Sequence, residues 1–119
     1  MSHGAKQIVQ ERQRHEWDEG WTDEHDDQHM KGEMALAAAC YARHAAKVPF
    51  KPDIDAYRGT PPPDDWPWDA KWWKPKNPLR DLVRAGALIA ADYDRIERRI
   101  ANDYARAVAD RDKPETGGG

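Results

Sequence analysis

Apolar residues recur at helical spacing in three separate stretches of the chain, and nowhere in the strict alternation of a half-buried strand. In the first stretch, Ile8, Val9 and Trp17 form a sparse apolar side between Ala5 and Asp18, and Gly20 supplies a stop. The second opens at Thr22, a good N-cap, and runs through a polar start into Met34-Ala-Leu-Ala-Ala-Ala-Cys-Tyr-Ala. Seven alanines between positions 35 and 46 make that helix thin, so neighbours can approach it closely. The third opens at Asn77-Pro78, an N-cap followed by proline at the first helical position. Leu82, Gly86, Ile89, Tyr93, Ile96 and Ile100 follow at alternating spacings of four and three, a seam of the kind that pairs helices. These patterns predict an all-α fold with a three-helix core, its helices at 5–18, 22–46 and 77–109.

Residues 47–77 have a different character. Pro49, Pro52, Pro61, Pro62, Pro63, Pro67 and Pro75 argue against regular structure, and Gly59 marks a turn. A flexible linker would be rich in Ser and Gly, whereas this stretch holds Phe50, Tyr57, Trp66, Trp68, Trp72 and Trp73. It is therefore expected to pack over the helices as an ordered flap at 48–76. Residues 1–110 then make one domain, and residues 111–119, ending in Gly-Gly-Gly, a disordered tail.

Composition narrows the function classes. A formal net charge of −3 over 119 residues gives no global attraction to a nucleic acid duplex or an anionic membrane. No apolar run approaches the roughly 18 residues of a membrane span, and no signal segment follows the polar start, so a cytoplasmic protein is expected. The single cysteine, Cys40, excludes an intrachain disulfide framework and, among alanines, is expected to be a small buried hydrophobe. Nucleophile triads, phosphate-binding glycine loops and paired cysteine sites are absent, which removes most hydrolase, kinase and zinc-finger readings.

Charge is unevenly spread, and the candidate chemistry follows that unevenness. Eight carboxylates lie between Glu16 and Glu33 against one lysine, Lys31. On a continuous helix, Asp26, His29 and Glu33 share one narrow stripe that continues into Ala37 and Cys40, so it faces the interior. A divalent metal is one way to offset buried charge of this kind; a hydrogen-bonded polar cluster at a helix start is the other. Asp81, in the first turn of the third helix, joins the set if that end packs against His29 and Glu33. The Trp66-Pro-Trp-Asp-Ala-Lys-Trp-Trp-Lys-Pro-Lys stretch combines stacking surfaces with cations. It suits a base on Trp72 or Trp73 and phosphates on Lys74, Lys76, Arg80 or Arg84, or else it closes a core poor in aliphatic residues.

Glu19-Gly-Trp-Thr-Asp-Glu-His-Asp-Asp-Gln-His-Met-Lys-Gly-Glu, the Trp66-Pro-Trp and Trp72-Trp-Lys-Pro segments and Arg80-Asp-Leu-Val-Arg-Ala-Gly-Ala together resemble a set of small phage and prophage proteins of unassigned function. More loosely, Glu11-Arg12-Gln13-Arg14 and Arg80-Asp81-Leu82-Val83-Arg84-Ala85 resemble elements of the MazG-like nucleotide pyrophosphohydrolases. That resemblance implies an all-α fold in which helical carboxylates hold Mg²⁺ or Mn²⁺. Carried onto this chain, it makes Glu33 and Asp81 metal ligands, with His29 or Asp26 completing the shell. The chain departs from the family pattern at two acidic positions, where Met30 and Arg84 stand.

Two functions are expected from these readings. One is a metal-dependent pyrophosphohydrolase of a nucleoside triphosphate, with Glu33 and His29 in the catalytic role and the metal on Asp26, His29, Glu33 and Asp81. The other is a non-catalytic phage accessory protein that binds a host protein or sequesters a nucleotide. The long third-helix seam further predicts a homo-oligomer, because Ile96, Ile100 and Tyr104 extend past what two shorter helices can cover.

Overall fold

The computed structural model describes residues 1–17, 22–27, 31–47 and 53–112. Helices α1 (His3–Trp17), α2 (Asp23–Asp27), α3 (Glu33–Ala46), α4 (Ile54–Gly59) and α5 (Pro78–Arg111), with one short 3₁₀ turn (Ala70–Trp72), account for the regular structure, and no strand occurs among the described residues. The fold is all-α. No helix among these residues is long and apolar enough to cross a membrane.

Local chemistry sets the helix ends. The Ser2 hydroxyl accepts from the Ala5 amide at 3.1 Å, which starts α1 two residues earlier than the apolar pattern alone. The Asn77 side chain accepts from the Arg80 amide at 2.8 Å ahead of Pro78, so α5 begins where its cap and proline dictate. The expected helix over 22–46 is not continuous. α2 ends at Asp27, and Gly32 precedes α3 in the left-handed region, at φ 78°. Glycine reaches that conformation without a Cβ penalty, and it resets the direction of the chain. Gly32 has no side chain to cap α3, and the task falls to α5: Asp92 Oδ2 accepts from the Ala35 amide at 3.3 Å.

The proline-rich segment carries more regular structure than its composition suggests. Between its prolines, Asp53 caps α4 by accepting from the Asp55 and Ala56 amides, and Asp69 caps the 3₁₀ turn by accepting from the Lys71 amide. Its indoles interlock with α3. Trp73 stacks on Tyr41 at 4.9 Å and 17°, and Trp66 meets both rings edge-on. Tyr57 stacks on His44 at 4.0 Å.

The core lies between α3 and α5, which run antiparallel: Ala35 of α3 meets Asp92, while Tyr41 meets Arg84. Met34, Ala37, Ala38, Cys40 and Tyr41 face Ala85, Leu88 and Ala91, and Trp73 closes one end. Cys40 is buried, and burial pushes its thiol above the ordinary range. α1 crosses α5 at Gly86, where an added Cβ would lie 2.5 Å from the Ile8 side chain. The seam residues Leu82, Ile89, Tyr93, Ile96 and Ile100 are not part of this core. The buried face of α5 is instead Asp81, Ala85, Ala87, Leu88, Ala91, Asp92 and Arg95. Small residues win this face because the alanine surface of α3 rewards close approach. Residues 113–119, most of the expected tail, lie outside the described residues.

Candidate functional site

Antiparallel packing of α3 and α5 divides the candidate residues between two ends of the bundle. At the first end, α2, the start of α3 and the middle of α5 converge. Asp26 is wholly buried and accepts from Arg12 Nη2 at 2.9 Å. Arg12 also lies 3.5 Å from Asp94 and 3.6 Å from Glu16, so one guanidinium serves three carboxylates. Asp92, also buried, pairs with Arg95 Nε at 2.6 Å while capping α3. Arg98 reaches Asp23 of α2 at 3.3 Å. Glu33 is the first residue of α3 and half-buried. His29 lies outside the described residues. A carboxylate without an opposite charge is very unfavourable at this depth, so the arginines are what permit Asp26 and Asp92 to be buried.

The second end holds Asp81, which is wholly buried. It accepts from the Tyr57 hydroxyl at 2.6 Å and from the Lys76 amide at 3.2 Å, with Arg84 3.8 Å away. Burial, together with the Asp81 carboxylate, pushes the Tyr57 phenol well above its ordinary range. Asp81 thus fastens the proline-rich segment to the start of α5. Beside it, Glu11 of α1 receives Arg80 at 2.5 Å, Arg14 at 2.6 Å and His15 Nε2 at 3.1 Å. Burial alone would raise the Glu11 carboxyl, but the bonds from Arg14 and Arg80 outweigh it and hold the group at about 2.

Asp81 precedes Asp92 by eleven residues on one helix, about 16 Å along its axis. Asp26 and Glu33 belong with Asp92, so the structure does not bring Asp81 to them, and one ion cannot reach both ends at coordination distances of about 2–2.6 Å. Asp26 and Glu33 do not share one continuous helix, because α2 ends at Asp27 and the chain turns at Lys31–Gly32 before α3. Among the described residues no group of three His, Cys, Asp or Glu side chains is placed to hold a metal ion.

The expected nucleotide contacts divide as well. Trp73 is 8% exposed, stacked on Tyr41 and donating from Nε1 to the Thr60 carbonyl at 2.9 Å, so it belongs to the core. Arg84 donates to the Lys74 carbonyl at 2.6 Å, and Arg80 is taken by Glu11. Trp72 is 56% exposed, and the Lys71 and Lys74 ammonium groups lie 5.4 and 5.6 Å from its ring. Lys76 is exposed nearby in sequence. Sequence reasoning missed Lys71 as a member of this corner, although it adjoins Trp72 in the chain. It also missed Asp92 and Arg95, which share the Leu88 face at helical spacing. No protein-family model matches this chain, and neither a curated protein nor a solved structure shows significant similarity to it.

Proposed function

We propose that this protein binds a nucleotide at the Trp72 corner and holds it without turning it over. The observation that carries the reading is Trp72 itself: the other described indoles of its segment, Trp66, Trp68 and Trp73, pack into the core, while Trp72 stays open with Lys71 and Lys74 against its ring. An exposed indole offers a stacking surface for any base, and the lysines supply charge for phosphates at its edge. Turnover is disfavoured because Asp26 and Asp81 are each engaged by internal partners at separate ends of the bundle. The test is isothermal titration calorimetry with the four ribonucleoside triphosphates, with and without Mg²⁺, alongside a pyrophosphate-release assay. The expected result is saturable binding that Trp72→Ala or Lys71→Glu with Lys74→Glu weakens at least about tenfold, and no pyrophosphate. Absence of saturable binding at millimolar nucleotide overturns the reading.

A second reading, a Mg²⁺- or Mn²⁺-dependent nucleotide pyrophosphohydrolase, draws on the depth of Asp26 at the end of the bundle where α3 begins with Glu33. There Asp26, His29 and Glu33 would hold the ion, which would supply charge neutralisation for the triphosphate and an activated water. Pyrophosphate release that is lost in Glu33→Ala selects this reading over the first.

A further inference from the structure

Helix α5 carries a second apolar stripe, separate from the core. Leu82, Ile89, Tyr93, Ile96, Ile100 and Tyr104 are all between 45% and 71% exposed. At 100° per residue the six fall within about 40° of one line, whereas the buried Asp81, Ala85, Leu88, Ala91, Asp92 and Arg95 lie about 60–180° away. α1, α2 and α3 all pack on α5, yet these six large side chains stay open. Arg98, paired with Asp23, is the last α5 residue joined to another element by an ion pair or hydrogen bond among the described residues. Beyond it every α5 residue to Arg111 is exposed except the half-buried Val108, and this extension contributes to principal extents of 75 × 34 × 24 Å. A bare helical extension of that length gains little from intrinsic propensity, and a large apolar stripe on a small protein marks an interface.

We infer that a second copy of this chain covers the stripe beyond the α1 crossing at Gly86, with Ile89 to Tyr104 of one α5 seated along the same residues of the other, Leu82 at the rim and the two bundles outermost. Two features favour a second copy over another occupant. From Ile89 to Ile100 the stripe keeps the four-and-three spacing with which helices pair, and α5 is the one described helix long enough to match it end to end. From side chains of roughly 180–220 Å² each, the six leave roughly 650 Å² open per copy, so two copies bury up to roughly 1,300 Å², within the range of a specific interface. This pairing is independent of nucleotide binding at Trp72.

Sedimentation equilibrium on the full chain tests it. The wild-type protein is expected at twice its 13.6 kDa mass at tens of micromolar. Ile96→Glu combined with Ile100→Glu places four carboxylates in the paired seam and should raise the dissociation constant at least about a hundredfold. That variant should run as a monomer with an unchanged far-ultraviolet circular dichroism spectrum, since both side chains are already open in the single chain. Ala39→Glu, on the exposed side of α3, should leave the dimer intact. A wild-type monomer at hundreds of micromolar, or a double variant that stays dimeric, overturns the inference.

Discussion

On its buried side, helix α5 presents Asp81, Ala85, Leu88, Ala91, Asp92 and Arg95; on a separate, open side the same helix presents Leu82, Ile89, Tyr93, Ile96, Ile100 and Tyr104. Ranked by hydrophobicity alone, the second face would be the buried one. The contrast teaches that closeness of approach, rather than apolar area, selects the intramolecular face here. Seven alanines in 35–46 let α5 come near α3, and the gap is filled mainly by alanines, with Leu88 and the Asp92–Arg95 ion pair the larger members. The charges on that face are tolerable because each has a partner: Asp92 has Arg95, and Asp81 has Tyr57 and the Lys76 amide.

Removing one partner on the buried face should have the largest effect. Asp92→Ala leaves Arg95 buried without its carboxylate and takes the cap from α3, and should destabilise the fold by about 3–5 kcal/mol. Ile89→Ala, on the open face, should change stability by less than about 0.5 kcal/mol when measured dilute enough to keep the chain monomeric. Urea denaturation of the two variants side by side decides the matter, and equal losses would erase the distinction between the faces.

A smaller effect is expected from pH. Glu11 is held at about 2 in the folded protein against an ordinary 4.5. Its folded value is depressed, so its contribution is complete above the unfolded value near 4.5 and fades as pH falls from there toward 2. The contribution is on the order of 2 kcal/mol, less than the full shift implies because Arg14 is open to water on one side. Denaturation midpoints measured across this window should fall with acid in the wild type and much less in Glu11→Gln; parallel curves would remove Glu11 from the account.

The smallest effect concerns the break that brings the start of α3 under Asp92. Gly32 sits at φ 78° with no atom within 4 Å of where a Cβ would stand. Gly32→Ala therefore meets no clash and tests backbone conformation alone, at about 1 kcal/mol. A thermal melt unchanged from wild type would mean that alanine adopts this turn freely.

The all-α fold and the start of α5 were legible in the chain because caps are local, whereas the separate starts of α3 and α4 were not. Asn77 with Pro78, and the alanine run after Glu33, act within a few residues of themselves. The division of the tryptophans into core and surface was foreseeable in kind, though not by residue, since four indoles exceed what a core this small can take. Three things needed the tertiary structure. The face of α5 that is buried depends on how closely α3 approaches. The turn at Gly32, which separates Asp26 from Glu33 on the helix surface, depends on a backbone conformation that glycine permits without requiring. The partners of the buried carboxylates come from far along the chain, Arg12 for Asp26, Tyr57 for Asp81 and Arg80 for Glu11, and one-dimensional spacing carries no record of such pairings. Burial and electrostatics act through space, so the partner of each acid was decided only when the helices met.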